Sequence, residues 1–467
     1  MPAPVCGLCA DGSREGRGAA VELGGPEPGT PNPSVRGTPQ HPHTDRGTLR
    51  TAAPSDPRYP SPFPSARRPV YRLARRLLFR LDAEAAHGLG MRAAALGQRV
   101  PGAVGAVYRR RDPRLAQTLW GHRFANPVGL AAGFDKNAAL VRFWPAMGFG
   151  FAEVGSVSAR ASAGNARPRA FRLPADSALV NRLGLGNAGA EAVAAQLARQ
   201  SQRPGFPRVV NVAKTHSPAI LGADGVADFR TSVRALAPHA DVLVLNVSCP
   251  NTAEGKTFET PDALDALLAA VRESLASSEW PESSGKATAD GSSPGRAVPS
   301  HSPLAPPHLR ERSEPPALLV KLSPPPASGL DAPAVDELVQ IALGHGVAGF
   351  VASNTASDRD GLATPRGEID RIGAGGLSGR PVARRAASLV RHLFRTTDGR
   401  VPVVGVGGID SADEAYARVR AGASLVELYT GLVYHGPGLV RAITEGLVRR
   451  LDRDGLGHIG EAVGLDA

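Results

Sequence analysis

The stretch Asn246-Val247-Ser248-Cys249-Pro250-Asn251 places two amides, a hydroxyl and a thiol directly after the apolar run Asp241-Val242-Leu243-Val244-Leu245. A β-branched run that breaks at once into small polar groups either delivers side chains to a pocket or enters an Asn/Ser/Pro turn. Comparable breaks recur along the chain. Ala131-Ala132-Gly133-Phe134-Asp135-Lys136, Gly155-Ser156, Asn211-Val212-Ala213-Lys214 and Lys321 each close an apolar run, and so do Ser353-Asn354-Thr355, Gly405-Val406-Gly407-Gly408 and Tyr429-Thr430-Gly431. Glycines in the last two, and in Gly375-Gly376-Leu377-Ser378-Gly379, leave backbone amides bare enough to close around a phosphate. The repeated asparagines 181, 211, 246, 251 and 354 combine donors with acceptors, which suits a planar ligand with amide edges. Lys136 and Lys321 bring positive charge for a carboxylate or an electron-rich ring.

Such groups need a frame that gathers strand ends. From about residue 115, eight apolar runs alternate with Ala/Leu-rich helical stretches: Pro127–Ala132, Gly150–Val157, Arg208–Lys214, Asp241–Cys249, Ala317–Pro324, Gly349–Thr355, Val401–Ile409 and Ala423–Gly431. This alternation predicts an α/β fold with a parallel sheet under helices, and eight strands close a (β/α)8 TIM barrel. No strand-Gly-x-Gly-x-x-Gly-helix unit opens the series, which argues against a doubly wound sheet. In a barrel the strand C-termini and the loops after them build the site, with phosphate held after the seventh and eighth strands. The segment Asn181-Arg182-Leu183-Gly184-Leu185-Gly186-Asn187 falls between the second and third strands.

The flanks have a different composition. Residues 1–68 mix Gly, Pro, Ser, Thr and Arg without aliphatic periodicity and read as a disordered tail. Residues 277–315, rich in Ser and Pro, read as a disordered insertion before the fifth strand, away from the site. Between tail and barrel, 69–112 reads as a helical extension. Over 70–81, Val70, Leu73, Ala74, Leu77, Leu78 and Leu81 share one helical face; Arg72, Arg75, Arg76 and Arg80 share the other, with Phe79 misplaced among the arginines. Asp82 suits an N-cap for a second helix, Ala83 to about Gln98. Such helices fit either a device lying in a membrane interface or ordinary packing on their own domain. The barrel is expected over 113–450 and a C-terminal tail over 451–467.

Charge sharpens the first of those readings. Residues 1–114 hold 18 Arg, no Lys and 9 Asp/Glu, which is +9 of the net +11. A basic section of this kind points to an anionic membrane surface or to nucleic acid. Nucleic-acid binding would interleave aromatics with the basic residues, yet only 5% of the chain is aromatic and the arginines share a helix with leucines. No apolar run reaches the roughly 18–20 residues of a membrane span, and no signal-peptide apolar stretch follows Met1. Three cysteines imply no disulfide framework and a reducing compartment; Cys6 and Cys9 form a C-x-x-C without a partner pair. No metal site is expected.

The runs NPVGLAAGFDKN, AMGFGFAEVGSVS, RPRAFRL, NRLGLGN, NVSCPNT, VKLSP, SNT, GGLSGRP, VPVVGVGGIDS and GASLVELYTG occur in this order. Through them the chain from about 70 to 445 resembles dihydroorotate dehydrogenase, specifically the membrane-associated, quinone-reducing class 2. LFRLDAEAAH resembles that class's N-terminal helical extension, which serves membrane contact and quinone access. The resemblance implies an FMN enzyme that oxidises dihydroorotate to orotate in pyrimidine (UMP) biosynthesis, held peripherally at the cytoplasmic face of the cell membrane. It implies FMN contacts from Ala132, Gly133, Lys136, Ser156, Asn211, Asn246, Lys321, Ser353, Gly379, Gly408, Tyr429 and Thr430. Dihydroorotate would be held by Lys136, Asn181, Arg182, Leu183, Gly184, Leu185, Asn246, Asn251, Asn354 and Thr355. The reaction removes a proton from C5 and a hydride from C6, and Cys249 would be the base; an ordinary thiol pKa of about 8.5 would have to fall, or activity would rise with pH. Class 2 members typically carry Ser at this position and class 1 members Cys, and the Leu185 position is usually Phe. The alternative reading is a class 1-like soluble enzyme that uses fumarate or NAD.

Overall fold

Runs such as Arg208–Val212 and Val242–Asn246 are apolar on both faces, so each strand must be covered on both sides. The chain satisfies this by closing the sheet on itself and wrapping it in helices. The structure, a computed structural model, describes residues 68–200, 205–249, 258–277 and 315–467. The expectations for 1–67, with Cys6 and Cys9, for Asn251 and for the inserted stretch 278–314 concern residues outside those described.

Three helices come first: α1 (Arg68–Leu78), α2 (Ala83–Gly97) and α3 (Pro101–Tyr108). Asp82 caps α2 as read, its Oδ1 accepting from the amides of Glu84 (2.9 Å) and Ala85 (3.0 Å). The orientation of α1 is the opposite of ordinary packing. Its Tyr71 hydroxyl donates to the Val433 carbonyl (2.7 Å), Arg75 donates to the Tyr434 carbonyl (2.9 Å), and Phe79 meets the Tyr434 ring edge-on at 5.4 Å. Phe79, the misfit on the arginine side, thus marks the face turned to the barrel. Most of the leucine face points outward, with Leu73 62% and Leu77 57% exposed, while Leu78 is half-buried and lines the cavity below; Leu96 of α2 is 61% exposed.

A short antiparallel hairpin, β1 (Gln117–Leu119) and β2 (His122–Phe124), leads into the barrel. The next elements are β3 (Val128–Leu130), β4 (Phe151–Val157), β5 (Ala170–Leu173), β6 (Ala178–Asn181), α4 (Ala190–Ala198), β7 (Arg208–Val212), α5 (Gly222–Leu236), β8 (Val242–Asn246) and α6 (Pro261–Ala276). They are followed by β9 (Ala317–Leu322), α7 (Ala332–Gly344), β10 (Gly349–Ala352), α8 (Arg366–Ile372), β11 (Gly376–Gly379) and α9 (Ala383–Thr396). The chain ends with β12 (Val403–Val406), α10 (Ala412–Arg420), β13 (Ala423–Leu428), α11 (Thr430–His435) and α12 (Leu439–Asp454).

Strands β3, β4, β7, β8, β9, β10, β12 and β13 close an eight-stranded parallel barrel. These are the eight expected runs, several of them shorter than read because the site residues lie on the loops just past the strands. Phe124 of the hairpin meets Phe151 edge-to-face at 5.4 Å and, with Val209, Val242, Val244 and Leu319, fills the interior at the strands' N-terminal end. Outward residues of the same strands, such as Val210, Leu243 and Leu318, pack beneath the helices.

Two features were not expected from the sequence. A three-stranded antiparallel sheet, β5-β6-β11, lies outside the barrel and pairs Asn181 with Gly376 and Ala178 with Gly379. Residues 451–467 are also not a trailing tail. Helix α12 continues to Asp454, Ile459 and Ala462 are fully buried, and Arg420 pairs with Asp466 at 2.6 Å. Scattered apolar side chains in a Gly-rich stretch leave little periodicity, and only the surface they meet makes Ile459 and Ala462 core.

Candidate active site

Side chains alternate across a strand, so the residue two places past each floor residue also points inward. Phe151 is thereby followed by Glu153, Val209 by Asn211, Val244 by Asn246, Leu319 by Lys321, Val351 by Ser353 and Leu425 by Glu427. All six are buried and form one polar layer above the apolar floor. Lys321 Nζ donates to Glu153 Oε2 (2.9 Å) and lies 3.9 Å from Glu427 Oε2; Asn211 Nδ2 donates to Glu153 Oε1 (2.5 Å).

One ammonium and two carboxyls in a dry site cannot all be charged without excess negative charge. Burial, then the neighbouring charge of Glu153, pushes the Glu427 carboxyl well above the usual range, so it is the one that keeps its proton. Burial also works against ionised Glu153, but the Lys321 charge and its hydrogen bonds outweigh it and hold that carboxyl low. Lys321 stays charged because the two carboxyls outweigh its own burial. Glu427 Oε2 is buried without a hydrogen-bond partner.

Above this layer the amides interlock. Asn246 Nδ2 donates to Ser156 Oγ (2.9 Å), and Asn246 Oδ1 accepts from Asn354 Nδ2 (2.9 Å). Asn354 also donates to Ser248 Oγ (3.1 Å), whose hydroxyl donates to the Lys321 carbonyl (2.7 Å). Ser248 is fully buried and ties two strand ends together, whereas the half-buried Cys249 lines the cavity. The paired amides and the orphaned, buried Thr355 Oγ1 leave donors and acceptors turned to a ligand.

A cavity of about 1040 Å³ rises from these groups past the barrel mouth to α1 and α2. On one side Gly379, Gly407 and Gly408 line it with φ of 98°, 108° and 74°. A Cβ would fall 2.4 Å from the Ser177 carbonyl oxygen at Gly379 and 2.4 Å from Ala383 Cβ at Gly408, so glycine is required at both. Thr430 closes this side, its hydroxyl 2.9 Å from that of Ser378. Bare amides here suit an anion. On another side are Ala132, Gly133 and Lys136; burial, then the charge of Arg169, brings the Lys136 pKa down to about 8. Asn181, Leu183, Gly184 and Leu185, reached through the outer sheet, roof the same space.

Two expected contacts lie elsewhere. Asn211 stands behind the lining and orients Glu153 and Asn246. Arg182 turns away, donating to the carbonyls of Ile372, Ala374 and Pro168 and stacking on Phe171 at 4.7 Å. Sequence reading missed Glu153 and Glu427, each a single acid inside an apolar run. It also missed the aromatic neck, in which Phe134 meets His87 (4.9 Å), Tyr429 (5.2 Å) and Trp144 (5.7 Å). The alternation after Phe151 and Leu425 was the available signal for the two acids. Among the described residues no cluster of His, Cys, Asp or Glu is arranged to hold a metal.

Comparison with known proteins accords with this arrangement. The family model for dihydroorotate dehydrogenase matches residues 114–451. The chain is 44% identical over 399 residues to dihydroorotate dehydrogenase (quinone) of Deinococcus deserti, covering 85% of this chain and 99% of that one. It is 40% identical over 400 residues to the same-named protein of Mycobacterium tuberculosis, covering 85% and 98%. The ligand-free dihydroorotate dehydrogenase structure from Eimeria tenella superposes with a TM-score of 0.68 at 31% identity, covering 82% of this chain and 99% of that one. By the length matched, the level of identity and the shared barrel, this chain belongs to the dihydroorotate dehydrogenase family.

Proposed function

We propose that this enzyme oxidises dihydroorotate to orotate through FMN and passes the electrons to a membrane quinone, as a step of pyrimidine biosynthesis. The single observation that carries the reading is the continuous cavity, which joins a glycine-lined anion pocket, a buried Lys/Glu/Asn layer and a thiol to an aromatic neck under two surface helices. The residues fit FMN. Amides of Gly379 and Gly408 with the Thr430 hydroxyl would hold its phosphate, while Lys321, Asn246, Ser156 and Ser353 would meet the ring, with Ala132, Gly133 and Tyr429 along it. When bound, FMN supplies a hydride acceptor at N5.

The chain's own residues do the rest. Lys136 and the amides of Asn181, Asn354 and Asn251 orient the substrate carboxylate and ring. Cys249, as thiolate, takes the proton from C5. Lys321, its charge balanced by Glu153 rather than by both carboxyls, stabilises negative charge on the neighbouring ring. The leucines exposed on α1 and α2 support an extension, residues 69–112, that lies in the interface of an anionic membrane and admits quinone to the neck. No helix among the described residues is long and apolar enough to cross a membrane.

The test is the spectrum of the purified protein: flavin absorbance that bleaches on adding dihydroorotate and returns on adding a quinone. A colourless protein, or a flavin that dihydroorotate does not bleach, would overturn the proposal. Cys249 favours the second reading, a class 1-like enzyme with a soluble acceptor; bleached flavin reoxidised by fumarate or NAD but not by quinone would establish that one.

A further inference from the structure

Arg418 of α10 is the bulkiest fully buried side chain among the described residues, and none of their acids forms an ion pair with it. Glu414, one turn earlier, is exposed. The guanidinium donates instead to three carbonyls, those of Gly407 (2.9 Å), Ala383 (3.0 Å) and Val406 (3.3 Å). Gly405 makes room for it, since a Cβ there would fall 2.6 Å from Arg418 Cγ. A buried cation without a counter-ion is costly, and general packing does not call for one.

Its place supplies the reason. In a trans peptide the C=O and N–H point in opposite directions. Anchoring the Gly407 carbonyl on Arg418 therefore turns the Gly408 N–H away from Arg418, on the side where Gly408 lines the cavity and where that N–H has no acceptor among the described residues. Burial lowers the Arg418 pKa only to about 10, so the charge persists at neutral pH. In a dry surrounding that charge acts strongly on an anion beyond the peptide.

We propose that Arg418 is a positioning residue for the FMN phosphate: it aims the Gly408 amide at the anion and provides, from behind the glycines, a positive charge that no acid among the described residues pairs with. This rests on the flavin reading above. The experiment strips flavin from the wild type, R418M and R418K, and titrates each with FMN and with riboflavin, the same ring without phosphate, by fluorescence quenching. R418M is expected to weaken FMN about 10- to 100-fold while riboflavin changes less than about threefold; R418K falls between, keeping the charge but losing the planar fork. Equal losses for both flavins, or no loss for FMN, would overturn the assignment. Should R418M not fold, R418K carries the same comparison, and an unchanged FMN-to-riboflavin ratio would have the same force. A wild-type apoprotein that binds FMN no tighter than riboflavin would remove the phosphate site itself and this proposal with it, whereas one that binds neither flavin would remove the flavin reading.

Discussion

Glu427→Gln is expected to make the protein more stable at neutral pH, although it deletes a buried ionisable group at the centre of the site. Glu427 lies 3.9 Å from Lys321 and is fully buried, while Glu153 at 2.9 Å already balances that ammonium. The folded protein therefore keeps a proton on Glu427 that the unfolded chain gives up above an ordinary carboxyl pKa of about 4.3. For a carboxyl raised in this way the folded state binds more protons, so stability falls as pH rises above that point, by at most about 1.4 kcal/mol per pH unit.

The amide of Gln cannot lose a proton, has nearly the same shape and can donate to Glu153 in the acid's place. Glu153, held low, contributes stability that is lost only as pH falls below the carboxyl range. Lys321, held high, contributes stability that is lost only as pH rises past the lysine range. Neither adds slope between about pH 5 and 8, and groups common to both proteins cancel in the difference. The assay is urea unfolding of the flavin-loaded wild type and variant across that range. The stability difference should grow in favour of Gln as pH rises through that range, by at most about 1.4 kcal/mol per unit for the one proton involved. Parallel pH curves would refute the proton assignment and, with it, the charge balance proposed for Lys321.

Other expectations follow from the same geometry. Cys249→Ala should retain flavin absorbance while turnover drops by about 10²- to 10⁴-fold, and Cys249→Ser should keep activity with its pH–rate profile displaced upward; an unchanged profile in the Ser variant would remove Cys249 as base. Lys136→Met should raise the KM for dihydroorotate by about tenfold or more, and wild-type KM should climb as pH passes about 8, where Lys136 loses its charge; a KM flat through that range would separate Lys136 from the substrate carboxylate. Replacing the exposed Leu73 and Leu77 with Glu should reduce binding to anionic vesicles and quinone-linked turnover but leave dye-linked oxidation intact, because neither side chain faces the barrel. Equal loss of both activities would mean that α1 supports the fold instead.

The sequence by itself determined the frame and much of the lining. Continuous apolar runs can be satisfied only between two covered faces, so eight of them separated by helical stretches specified the barrel and placed Asn246, Lys321 and Gly408 at its working end. Asp82 could be read as a cap because capping is local, decided within three residues of chain. What depended on distant partners was not legible. Glu153 and Glu427 look like isolated acids until closure brings them to one lysine, and which of them keeps the proton is settled only by burial and mutual distance. Arg182 sits inside a matching motif yet turns outward, because the carbonyls of Ile372 and Ala374 lie there after β11 pairs with β6. The periodicity of α1 identified an apolar face but not its direction. Only the docking of Tyr71, Arg75 and Phe79 on the barrel shows that Leu73 and Leu77 are left outside.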